Sequence, residues 1–188
     1  MLAIRPVRLG DVPVVAELHH RCWQVAYAGL VPAEALAAMD LARSTARWRL
    51  GLTDPPADRH QLLAERADGE IVAFVTYGAY REDHDAARRN ARLGAEIYAI
   101  YADPGAWGTG AGHALMEAAL DHLRELGLSP VRLWAMDGNE RAARFYRRHG
   151  FTLDGAATVY EFNGAPLPIS RYELAGTGFS AEAGGSGA

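Results

Sequence analysis

Residues 103–116, DPGAWGTGAGHALM, set a proline and four glycines between an apolar run and a long amphipathic segment. A strand feeding such a turn into a helix leaves the first backbone N–H groups of the helix without intrahelical partners, at the positive end of its dipole. That arrangement suits phosphate oxygens, and the missing side chains at Gly108, Gly110 and Gly112 would let a diphosphate approach the backbone. The same glycines also serve a plain structural turn that packs a helix tightly on a strand. A dinucleotide fingerprint is a poor fit, because His113 and Ala114 follow Gly112 and no strand-end acid stands about 20 residues further on. A lysine-bearing phosphate loop and Schiff-base chemistry are both excluded, since all 19 basic residues are arginine. His19, His20 and Cys22 do not read as a metal or thiol site: adjacent histidines diverge on a helix, and no carboxylate is paired with them at ligand spacing.

The elements that must hold this turn follow from periodicity and turn chemistry. Residues 2–9 alternate as a strand, and Asp11 is placed to cap a helix over 12–27 with Val14, Val15, Leu18, Cys22 and Val25 on its apolar side. Gly29 ends that helix, and shorter helices follow over 32–39 and 44–52. HQLLAER and IVAFVTYGAY, joined through Asp68-Gly69, predict an antiparallel hairpin. Residues 81–93 read as a solvated loop, with a substrate-facing flap as the alternative. In it Glu82, Asp83 and Asp85 suit a cationic ligand, and Arg88, Arg89 and Arg92 either cancel that field or suit a phosphate. Residues 94–102 form a strand. The firmest helix carries Ala111, Leu115, Ala119, Leu123 and Leu126 at helical spacing and stops at Gly127. VRLWAM is a strand, GNERAARFYRRHG a helix closed by Gly150, and the chain returns in a hairpin turning at Asn163-Gly164.

This is one α/β domain over residues 1–175, with a small-residue tail over 176–188 that reads as disordered. The 188 residues, 49% hydrophobic, suffice for one core. A net charge of −4 spread over mixed signs argues against nucleic acid and anionic membrane as partners. No apolar run of about 18 residues and no leader peptide is visible, so the expected location is cytoplasmic. The single cysteine, Cys22, forms no internal disulfide.

The loop Trp107-Gly108-Thr109-Gly110-Ala111-Gly112, the preceding Ala102-Asp103-Pro104 and the segment NERAARFYRRHGF together resemble the GNAT superfamily of acyl-CoA-dependent N-acyltransferases. Its loop reads Q/R-x-x-G-x-G/A, and Trp107 stands here where Gln or Arg is usual. The resemblance implies a GNAT-like three-layer α/β fold, with a central mixed, mostly antiparallel twisted sheet flanked by helices. It implies acetyl-CoA as co-substrate, cradled by residues 107–112 with Ile100 and Ala102 on the strand and Asn139 downstream. Asn139 equally suits a helix cap. The backbone N–H near Ile100 would hold the oxyanion. Glu96 matches the family's general base, which an alkyl ammonium with a pKa near 10.4 requires. Tyr146 matches the general acid that protonates the departing thiolate. Trp23 and Tyr27 lie where the family shapes the acceptor site, with core packing as the alternative. The implied reaction is direct acetyl transfer to a primary amine of a small molecule or peptide, without a metal. A homodimer is the implied assembly, and a non-catalytic acyl-CoA-binding domain is the competing class.

Overall fold

The computed structural model describes residues 2–56, 58–82 and 88–176. Asp83, Asp85 and residues 177–188 of the tail lie outside them. The chain runs β1 Leu2–Pro6, α1 Val12–Ala26, α2 Ala33–Ala37, α3 Leu41–Thr53, β2 Arg59–Arg66, β3 Ile71–Arg81, β4 Arg89–Ala102, α4 Ala111–Glu125, β5 Val131–Met136, α5 Glu140–Arg148, β6 Thr152–Phe162 and β7 Ala165–Leu174. Seven strands form one sheet in the order β1-β2-β3-β4-β5-β7-β6. Every neighbouring pair is antiparallel except β4–β5.

Helix α4 covers one face of the sheet. Ala111, Leu115, Met116, Ala119, Leu120 and Leu123 are buried there against Ala73, Val75, Ile97 and Leu133. Leu126 is half-exposed and falls outside this stripe, because α4 ends at Glu125 and Leu126 is its C-cap, just before the left-handed Gly127 (φ 68°). Helix α1 lies on the other face, where Val15, Leu18 and Cys22 pack with Leu63 and Phe74. Val14 and Val25 are exposed instead, and Ala16 and Trp23 complete the buried side. Asp11 does not cap α1 with its side chain. Its carboxylate takes the Arg8 backbone N–H and the Arg5 guanidinium, and the Arg5 bonds hold its pKa below the usual carboxylate range.

The loop expected over 81–93 is shorter than expected. Residues 89–93 continue β4, because Arg89 and Asn90 pair with Arg81 and Tyr80 across the hairpin. Cross-strand pairing here overrides polar composition.

Two irregularities of β4 create the opening that matters. Only Ala95, Glu96 and Ile97 pair with β5, so the strands part beyond Leu133. Opposite β3, the register slips between Thr76 and Tyr77, leaving Tyr98 as an extra residue. Ala95 N–H points to the β5 side, toward the Pro130 carbonyl, whereas Asp103 N–H points to the β3 side, toward Val72. Strict alternation would turn both the same way. The slip at Tyr98 reverses the phase and aims the Ile100 N–H into the gap between β4 and β5.

Candidate active site

A groove of 620 Å³ opens at this gap and runs along the start of α4 and one side of α5. Its floor is the cradle. Gly108 (φ 79°) and Gly110 (φ 91°) hold left-handed conformations, and a side chain at either would project into open space. Gly110 caps α4 without any side-chain bond. The N–H groups of Gly110, Ala111, Gly112 and His113 therefore lack intrahelical acceptors where those residues line the groove. Gly112 differs: it is inside the helix, and an added Cβ would make ordinary contact with Phe145 at 3.5 Å. Of the three glycines, only Gly108 and Gly110 take a positive φ.

Trp107 shapes the cradle from below. Its indole Nε1 donates to the Ala102 carbonyl at 3.0 Å, an oxygen that also accepts the Cys22 thiol at 3.2 Å. Both bonds pin the end of β4. Burial pushes the Cys22 thiol up to about 12, so it is a packed donor rather than a nucleophile. Over the Trp107 ring, 3.8 Å from its centroid, sits the Arg141 guanidinium of α5. The cation that the loop itself lacks is delivered from the facing helix.

Arg141, Arg144 and Arg148 follow at helical spacing on the side of α5 that lines the groove, and among the described residues no lining residue is acidic. A protein of net charge −4 thus presents a positive wall at one place. Asn139 Oδ1 accepts the Ala142 N–H at 3.1 Å and caps α5, while the residue also borders the groove.

At the head of the groove stand three phenols. Tyr27 and Tyr101 place their hydroxyls 3.3 Å apart, and Tyr146 lines the same space. Burial raises the pKa of each, and the neighbouring phenols add to it for Tyr101 and Tyr146. All three are neutral hydrogen-bond donors at physiological pH.

Three predicted residues lie elsewhere. Trp23 packs in a hydrophobic cluster, stacked on Phe162 at 4.2 Å and edge-on to Tyr27, so it backs Tyr27 and does not line the groove. Thr109 turns away, its hydroxyl donating to the Ala106 carbonyl at 2.7 Å. Glu96 is 1% exposed and is held by Arg81. The Arg81 backbone N–H and Nε both donate to Oε2 at 3.1 Å, and Nη2 donates to Oε1 at 2.5 Å. A carboxylate offers about four acceptor sites, so roughly one remains, on Oε1.

Sequence reasoning did not find Tyr101, Arg81 or Arg141. Arginines at i, i+3 and i+7 in RAARFYRR carried a readable helical signal; Tyr101 and Arg81 depend on the slip in β4 and on cross-strand register.

The chain is similar to known proteins in sequence and in fold. Residues 15–151 match the sequence model of the acetyltransferase (GNAT) family. An uncharacterized N-acetyltransferase of Mycobacterium tuberculosis is 33% identical over 149 residues, covering 79% of this chain and 87% of that protein. The mycothiol acetyltransferase of Propionibacterium freudenreichii is 37% identical over 112 residues, which cover 60% of this chain but 32% of that protein. Among solved structures, the PaiA N-acetyltransferase of Thermoplasma acidophilum in complex with coenzyme A superposes with a TM-score of 0.67 at 18% identity, covering 90% of this chain and 98% of that one. The last of these speaks for the fold and the first two for descent: this chain belongs to the GNAT family of acetyltransferases.

Proposed function

We propose that the groove binds acetyl-CoA and that the chain passes the acetyl group directly to a primary amine of a small molecule or peptide, with both substrates bound at once. The observation that carries this reading is that the cradle, the arginine wall and Tyr146 line one continuous groove with no carboxylate among its described lining residues. A ligand with a diphosphate and a further phosphate suits such a wall, and the open space above Gly108 and Gly110 lets it reach the backbone.

Each residue then has a task. The free N–H groups of residues 110–113 hold the pyrophosphate, and Arg141, braced on Trp107, adds a charged donor beside them. The Ile100 N–H, turned into the gap by the slip at Tyr98, is the preorganised donor for the carbonyl oxygen. Tyr146 keeps its proton until negative charge develops on the sulfur, because burial has made the phenol a weaker acid than usual. Glu96 takes the proton of the amine through water at the acceptor site left on Oε1, while Arg81 fixes the orientation of its carboxylate.

The test is thiol release from acetyl-CoA over a panel of small amines and peptide N-termini. Turnover on at least one amine, with Tyr146→Phe about 100-fold or more slower at unchanged acetyl-CoA affinity, is expected. Tight acetyl-CoA binding without turnover on any amine would instead mark a binding domain.

A further inference from the structure

We propose that His113, Glu117 and His149 form a binding site for one divalent transition-metal ion of the zinc class, bridging α4 and α5 at the rim of the groove. His113 and Glu117 are one turn apart on α4 and therefore stand side by side. His149, directly after α5, meets them: its Nε2 lies 2.9 Å from His113 Nδ1 and 3.9 Å from Glu117 Oε1. The three ligand atoms all fall within 4.8 Å of one another.

The tautomer of His149 is determined by its other nitrogen. Nδ1 lies 2.9 Å from the Phe145 carbonyl, which can only accept, so Nδ1 carries the proton and Nε2 keeps its lone pair toward His113 and Glu117. A ring nitrogen oriented by a backbone carbonyl is the usual support of a metal-bound histidine. An ion about 2.1 Å from both ring nitrogens would subtend roughly 90° at their present spacing, and roughly 3.4 Å is needed for a tetrahedral angle. His113 and Glu117 are exposed, so both can swing outward by that half-ångström without disturbing the core.

Two imidazoles and one carboxylate favour zinc, nickel or cobalt over magnesium or calcium, which prefer all-oxygen sites. Arg144 and Arg148 on the same side of α5 oppose a cation, so micromolar affinity is expected, weaker than that of a closed structural site. The site is separate from His19, His20 and Cys22. The His19 ring sits among Trp23, Phe74 and Tyr101, and the Cys22 thiol is committed to Ala102.

Calorimetric titration of tag-free, chelator-stripped protein with zinc chloride tests this, together with the visible absorption of the cobalt(II) form. One ion per chain at micromolar Kd is expected, with about tenfold or greater weakening in both His113→Ala and Glu117→Gln. Circular dichroism confirms that these two exposed substitutions leave the fold intact. His60→Ala is the control, because His60 and His122 form the other close imidazole pair among the described residues, with ring centroids 4.5 Å apart. Absence of zinc binding below millimolar concentration overturns the proposal. So does binding that survives both α4 substitutions, and so does binding lost only in the His60 variant.

Discussion

Replacing Glu96 by Gln separates two tasks that one carboxylate carries. The amide keeps the shape but presents a single oxygen to a guanidinium that now meets two, and its NH2 group faces a donor. Removing one partner of a buried ion pair costs about 3–5 kcal/mol. The Arg81 side chain is 22% exposed, so water recovers part of the loss. A cost of about 3 kcal/mol is expected, which lowers the thermal midpoint of a chain this size by roughly 6–12 °C. Catalysis should fall further, by about 10²–10⁴-fold in the acetyl-transfer step, if the carboxylate takes the proton of the amine. The double variant Glu96→Gln/Arg81→Gln restores a neutral, mutually bonded pair and most of the midpoint, because exchanging a whole buried pair is far cheaper than breaking it. Thermal unfolding and single-turnover acetyl transfer on the native chain, Glu96→Gln, Arg81→Gln and the double variant measure both quantities. The double variant is expected to regain its midpoint and remain at least about 100-fold slow. Recovery of the rate along with the midpoint would refute the base role and leave Glu96 as the structural partner of Arg81.

Further expectations concern the cradle, its cation and the core. Gly110→Ala forces a left-handed alanine at a cost of about 1–2 kcal/mol and weakens acetyl-CoA binding. Gly112→Ala, with helical φ and only ordinary contact to Phe145, gains about 0.5–1 kcal/mol and keeps binding; equal behaviour of the two variants in thermal shift and calorimetry would contradict the division of labour. Arg141→Ala removes a charged donor worth about 1.5–3 kcal/mol, so the KM for acetyl-CoA should rise roughly 10- to 150-fold with kcat little changed, and an unchanged KM would remove Arg141 from the site. His19 is pushed down to about 4 by burial, then by Arg47 and His20. The unfolded chain therefore takes up the proton first, so this contribution to stability is whole above the ordinary histidine value of about 6.5 and is lost as pH falls toward 4. It amounts to at most about 3 kcal/mol. Urea unfolding across that window should show the loss in the native chain but not in His19→Phe; identical slopes would show that His19 is not its source.

The legible parts of the chain were those governed by local rules. Helix α4 was readable because its apolar residues recur at helical spacing and Gly127 ends it, and the β6–β7 hairpin because Asn163-Gly164 supplies two positive φ values. The turn into α4 was readable because glycines between a strand and a helix supply left-handed conformations, here at Gly108 and Gly110. What escaped the sequence depends on long-range register. Residues 89–93 look like a loop until Tyr80 and Arg81 are known to lie opposite. Arg81 reaches Glu96 only because the β3–β4 pairing brings residues 15 apart together. Tyr101 joins Tyr27 in the groove because a single extra residue at Tyr98 shifts the alternation of β4, an event that leaves no mark in composition. Trp23 shows the converse: its place on α1 led to the expectation that it shapes an acceptor site, but Phe162 from the far hairpin stacks on its face.

A crystal structure with CoA bound tests the central claim most directly. Diphosphate oxygens within hydrogen-bond distance of the N–H groups of residues 110–113, Arg141 beside them and the sulfur next to the Tyr146 hydroxyl are the predicted result. A CoA seated away from the start of α4, or bound there with its sulfur remote from Tyr146, would contradict it.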